Sequence, residues 1–152
     1  MLIQGRENSR ADSLARRLSG SSLSGKAWLR PINDPDRDGV LRKYTHAAEQ
    51  WATVTPIILP GHLNGRGLER RQTKLVLKSL AHAGIMTPIS EVCLQPDPVF
   101  PGAERASRYR VPEYLQQFTK THAVITFSEP VVGPVVIGAG RYVGLGLMAG
   151  LD

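Results

Sequence analysis

The chain has a single cysteine, Cys93, among 152 residues. One thiol cannot close an intrachain disulfide, and it cannot build a zinc site that needs several thiolates, so Cys93 reads as a small buried apolar residue. No stretch approaches the roughly 18 consecutive apolar residues that a membrane span requires. Residues 1–20 carry acidic side chains and no apolar run of secretory type, so a signal peptide is not expected and a soluble, cytoplasmic protein is. Acidic residues are also in deficit, thirteen against nineteen Lys and Arg. Asp34, Asp36, Asp38 and Gly39 match the opening of a calcium loop, but its twelfth position falls on Thr45, which cannot supply the bidentate carboxylate. That segment reads as a turn, and no metal or cofactor is expected.

What the sequence does contain is positive charge and glycine. The formal charge of +6 favours a polyanionic partner, nucleic acid above all. The apolar fraction of 41% suffices for a single core. Residues 1–50 hold little core material: 13–18 suit a short basic helix, 19–25 (SGSSLSG) a flexible linker, and the rest an irregular or extended segment. From Trp51 onward the pattern sharpens into one domain, 51–152. Residues 51–59 (WATVTPIIL) form a strand, with Pro56 marking an edge or a bulge. Residues 68–83 form a helix that Gly84 ends. On it Leu68, Leu75, Val76, Leu80 and Ala83 share an arc of roughly 140°. Arg66, Arg70, Lys74 and Lys78 recur opposite, beside Arg71. Strands follow at 89–94, 122–128 and 135–137, with a turn at 129–134. The order strand, helix, strand, strand, strand predicts an α+β, ferredoxin-like antiparallel sheet with one well-formed helix and a C-terminal glycine-rich loop.

That loop, GAGRYVGLG at 138–146, admits three readings. A dinucleotide-binding turn must open a helix, and six residues after Gly146 are too few for one. A plain bend would use the positive φ that glycine permits. A nucleic-acid contact would use the missing side chains of Gly138, Gly140, Gly144 and Gly146 to let a nucleotide backbone approach, with Arg141 on phosphate and Tyr142 on a base.

The segments WATVTPIILPGH, LVLKSLAHAGI, RYRVPEYL, HAVITF and GPVVIGAGRYVGLGLM, taken in this order, resemble the fused backbone-and-processing subunit of type I-G (formerly I-U) CRISPR effector complexes. The ending is similar to the glycine-rich loop of the repeat-associated mysterious protein superfamily, which includes CRISPR RNA-processing endoribonucleases. The resemblance covers about residues 51–148 and implies the final ferredoxin-like half of such a subunit. It implies CRISPR repeat RNA and other type I effector subunits as partners. It also implies metal-independent cleavage that leaves a 2′,3′-cyclic phosphate. Arg66, Arg70, Arg71, Lys74, Arg108 and Arg110 are the candidate phosphate contacts. Cleavage needs a proton acceptor and a proton donor near neutrality, roles that suit histidine. His62, in a loop beside Arg66 and Arg70, is the candidate, with Tyr142 assisting or stacking. His82 reads as a side chain on the helix border, His122 as a hydrogen-bonded strand-edge residue and His46 as solvated. The alternative to an enzyme is a non-catalytic module that caps an RNA hairpin or contacts a protein of the effector complex.

Overall fold

The computed structural model describes residues 9–23, 25, 27–28, 37–61 and 68–151. They fall into two compact units, Met1–Asp38 and Gly39–Asp152. In the first, helix α1 (Ser9–Leu18) is followed by a two-stranded hairpin, β1 (Ser22–Leu23) and β2 (Ala27–Trp28), in the register Ser22↔Trp28. The expected linker at 19–25 is therefore partly strand. Gly25 sits at φ +68°, and its amide donates to the Ser22 hydroxyl at 3.0 Å, which closes the turn between the strands.

The second unit begins with a short helix, α2 (Gly39–Thr45), so ordered structure starts ahead of Trp51. Strand β3 (Ala47–Thr53) and strand β4 (Ile57–Leu59) are two pieces of the strand read at 51–59, interrupted next to Pro56. Helix α3 (Leu68–His82) ends in a Schellman closure: Gly84 at φ +77°, Gly84 N donating to the Ala81 carbonyl at 3.0 Å and Ile85 N to that of Leu80 at 3.0 Å. Ala83 lies past this end and is exposed rather than part of the core arc. Strand β5 (Ile89–Gln95), strand β6 (Thr119–Val132) and strand β7 (Met148–Gly150) complete the sheet. Between β6 and β7, the 135–137 stretch is not a strand but a single bridge, Val136↔Leu147. The segment 138–146 is folded by one 3-10 turn, Arg141–Val143.

All pairings are antiparallel. Strand β6 lies between β5 (Val92↔Ile125) and β3 (Trp51↔Ile125), and β3 also pairs β7 (Ala52↔Ala149). Strand β4 extends the ladder along the first residues of β6 (Leu59↔Thr119). Of the turn expected at 129–134, residues 129–132 are instead carried inside β6, and only Gly133 and Pro134 lie past its end. Pairing jumps from Ala48↔Val131 to Gln50↔Thr126, and Glu129 and Pro130 sit in the bulge between.

Side chains alternate across these strands, so the sheet has two unlike faces. On one, Trp51, Ile57, Leu59, Ala123, Ile125 and Phe127 pack with Val76 and Leu80 of α3. Trp51 is fully buried and donates its indole N–H to the Ala48 carbonyl at 2.9 Å. On the other face Ile58 forms a second cluster with Leu115 and Leu145, joined by Tyr109, Val111, Phe118 and Ala139. Cys93 is exposed, not buried as expected. Its neighbours Val92 and Leu94 pack against the first core and so take the inward positions of this edge strand. Among the described residues no helix is long and apolar enough to cross a membrane.

Candidate functional site

Four glycines in nine residues do two different jobs in the 138–146 loop. Gly146 has φ +75°, and a Cβ there would run into the carbonyl oxygen of Ile137. Its N–H donates to the Pro56 carbonyl at 2.9 Å, and its own carbonyl accepts Ile137 N–H at 3.0 Å, which ties the loop to the residue ahead of β4 and to the stretch that leads into the loop. Gly138 and Gly140 are likewise buried, pressed against the backbone of Ile58 and the side chain of Leu145. Their missing side chains serve the close packing of the loop on β4. Gly144 differs: it is exposed, in the left-handed conformation, and a side chain there would meet nothing within 4 Å.

The 3-10 turn Arg141–Val143 stands on this anchored base and has no buried residue. Tyr142 is 85% exposed. The Arg141 guanidinium lies 4.5 Å from the centre of its ring and donates to its hydroxyl at 2.8 Å. A cation–π contact plus a hydrogen bond fixes one side of the aromatic ring, while its large exposure leaves surface for a planar ligand to stack upon. The guanidinium keeps further N–H groups for an anion, since it has five donors.

The second cluster brings the basic segment 105–110 to this same face. Tyr109 and Val111 pack on Ile58, as Ala139 and Leu145 do from the glycine loop. Lys120, half-buried at the start of β6, holds the segment by donating to the carbonyls of Ser107 (3.3 Å) and Tyr109 (2.9 Å). Arg105 is paired with Asp97 at 2.6 Å and Arg108 with Glu104 at 3.7 Å, whereas Arg110 makes no ion pair among the described residues. Lys120 was missed in the sequence reading because one Lys at a strand start gives no signal. Its position next to the Arg105–Arg110 cluster becomes visible only through the fold.

The expected phosphate surface is divided by the sheet. Arg70, Arg71 and Lys74 are exposed on α3, which covers the Trp51 face, while Arg108, Arg110 and Arg141 belong to segments packed on the Ile58 face. His62 and Arg66 lie outside the described residues.

The remaining histidines have other tasks. His122 is 1% exposed, and β6 has neighbours on both sides, so it is a central rather than an edge residue. Its Nε2 donates to the Glu104 carbonyl (2.9 Å), and its Nδ1 lies 3.0 Å from the Thr53 hydroxyl, which also accepts Ala123 N–H at 2.9 Å. These two bonds pin Glu104, and with it the start of the 104–109 segment, to the sheet. His46 is half-buried rather than solvated, with Nδ1 at 2.6 Å from the Arg42 carbonyl and its ring stacked on Trp51 at 6.0 Å. His82 is exposed in the last turn of α3. Among the described residues no group of three or more His, Cys, Asp or Glu side chains converges as a metal site would require.

No curated protein and no solved structure gives a significant match to this chain. A family profile does, across residues 29–150, a span that includes α2, the whole sheet, α3 and the glycine loop. The chain thus belongs to the GSU0054 family of CRISPR-associated proteins.

Proposed function

We propose that this chain binds CRISPR repeat RNA, as the final, ferredoxin-like half of a type I-G effector subunit of the repeat-associated mysterious protein superfamily. The observation that carries the reading is the Arg141–Tyr142 pair, carried by the glycine loop on the face that also holds Arg108 and Arg110. An exposed ring backed by a cation offers a stacking platform for one base, and guanidiniums on segments packed against the same face suit the phosphates of the strand. Arg141, Tyr142 and Gly144 are the direct contacts in this reading. Gly138, Gly140 and Gly146 act by holding the loop's shape. The strand order β5–β6–β3–β7 with α3 on one face supports the ferredoxin-like assignment; in chain order the Arg141–Val143 turn takes the place of the second helix, but it lies on the opposite face from α3. Other effector-complex subunits are the proposed protein partners. Arg70, Arg71 and Lys74 on the opposite face are left for a second RNA segment or for such a partner.

As a processing enzyme the chain would transfer one proton from the RNA 2′-hydroxyl and return one to the departing 5′-oxygen. The 2′-oxygen would attack phosphorus and leave a 2′,3′-cyclic end. His62 is the proposed acid or base, with Tyr142 assisting. Incubation with the cognate repeat RNA in EDTA is expected to give one cut with a cyclic phosphate, and His62→Ala is expected to lose about 100-fold or more in rate while RNA binding stays within a few fold. Normal cleavage by His62→Ala removes that assignment. The second reading, an RNA-hairpin-holding or protein-contacting module without catalysis, is favoured by the structural commitments of His122 and His46. It predicts binding with no cut.

A further inference from the structure

The Ile58 face holds a second feature, a cleft of 390 Å³ that neither the glycine loop nor the arginines use. Its lining includes Lys43 and Tyr44 of α2, Val54, Phe100, Tyr109 and Ala149, and Arg141 is not among the lining residues. Ala149 follows Met148, which is part of the Trp51 core, so its methyl group points to the opposite side of the sheet. The volume falls near the lower end of the roughly 300–1,000 Å³ typical of small-ligand sites. That is room for one compact ligand rather than a length of chain.

We infer that this cleft receives a single unstacked nucleobase of the bound RNA, with Lys43 on its phosphate; the inference rests on the RNA-binding reading above. Three of the chain's seven Phe and Tyr residues line this one cleft. They come from separate segments, so no local sequence pattern explains their meeting. Flat aromatic walls with one cation and no carboxylate among the lining residues suit a planar ring that carries an anion. Among the described residues neither the Lys43 ammonium nor the Tyr44 hydroxyl has a hydrogen-bond or ion-pair partner, so both are available to a ligand. The Tyr109 hydroxyl is not: it donates to the Val54 carbonyl at 3.4 Å, and the ring edge meets His122 at 6.3 Å. Tyr109 therefore serves as a fixed wall. The opposite wall is shaped as well. Ala103 N donates to the Phe100 carbonyl at 3.3 Å, Gly102 takes φ +83°, Ala106 N donates to the Pro96 carbonyl at 3.0 Å, and the Asp97–Arg105 pair closes the base of the loop. Walls set before the ligand arrives lose little entropy on binding.

The test uses the whole chain and its cognate repeat RNA, with fluorescence anisotropy as the readout. Phe100→Ala is expected to weaken binding about 10-fold. Making one particular unpaired nucleotide abasic should weaken wild-type binding by a similar factor and leave Phe100→Ala binding unchanged, because each change removes the same contact. Wild-type binding that survives Phe100→Ala and every abasic substitution overturns the pocket and leaves the RNA-binding reading standing. A wild-type chain that does not bind repeat RNA overturns that reading and the pocket with it. Cross-linking the wild-type chain to repeat RNA bearing photoreactive thio-nucleobases needs no variant: adducts on Tyr44, Phe100 or Tyr109 support the pocket, and adducts confined to other residues overturn it. A mononucleotide that cross-links to these residues and fails to displace the RNA overturns the assignment in favour of a free nucleotide. An effector-subunit peptide found in the cleft while RNA is bound overturns it in favour of a protein contact.

Discussion

Replacing Arg141 and Tyr142 together with alanine is expected to weaken binding of the cognate repeat RNA about 100- to 1,000-fold, or about 3–4 kcal/mol, without lowering the melting temperature measurably. The two halves of that expectation come from different observations. Loss of a stacking aromatic costs about 1–3 kcal/mol per base, and loss of a charge-assisted hydrogen bond about 1.5–3 kcal/mol. The two residues touch each other, so their contributions overlap and the double loss is less than the sum of the singles. Stability should be spared because Tyr142 is 85% exposed and buries little of its ring on folding. Isotherms for the double and single variants check the first half, and thermal unfolding checks the second. A double variant with wild-type affinity removes the loop from the interface.

Gly146→Ala is expected to do the opposite, destabilising the fold by about 2–5 kcal/mol: about 1–2 for a side chain in the left-handed region and about 1–3 for forcing a methyl group into a packed position. The methyl would press on the Ile137 carbonyl, and the loop has little freedom to yield because Gly146 is hydrogen-bonded to Pro56 and to Ile137 itself. Gly144→Ala is the matched control. Its φ of +82° carries the same backbone penalty of about 1–2 kcal/mol, but nothing stands within 4 Å of the added carbon. Urea unfolding of the two variants separates conformational strain from steric collision through their midpoints. Equal losses at the two positions would show that the loop does not pack on Ile137 as described.

These two experiments probe a division that the sequence does not reveal. Glycine density at 138–146 marks the segment as unusual. It does not say that three of the glycines are needed against Ile58, Ile137 and Leu145, because the contacts with β4 span dozens of residues. Local pattern did identify α3, whose end is set by Gly84, and the alternation of Ala123, Ile125 and Phe127 on β6. It also placed an irregularity at Pro56, where β3 gives way to β4. It failed where tertiary pairing overrides a local turn signal. Glu129–Pro130 reads as a chain reversal but is held inside β6, since β3 continues past it, with Ala48 and Ala47 paired to Val131 and Val132. It failed also at Cys93: an apolar-type residue on an edge strand is buried or exposed according to register, which only the partner strand fixes.

The same limit applies to the candidate site. Basic residues on α3 and in 105–110 look alike in sequence, and spacing along a helix says which side is charged but not which face of a sheet that helix covers. The position of Ile58 between Ile57 and Leu59 resolves it, since one strand sends neighbouring side chains to opposite faces. The histidines behave similarly. His122 carries the hydrogen-bonding capacity of a catalyst, yet the Thr53 hydroxyl and the Glu104 carbonyl, both distant in sequence, turn it into a clamp for the segment that bears Arg108 and Arg110.

Hydrogen–deuterium exchange of the whole chain with and without its cognate repeat RNA reads out which face the RNA covers. Exchange is expected to slow in the peptides spanning 105–111 and 139–145, on the Ile58 face. Slowed exchange confined to α3, with both of those segments unchanged by RNA, would contradict RNA binding on that face.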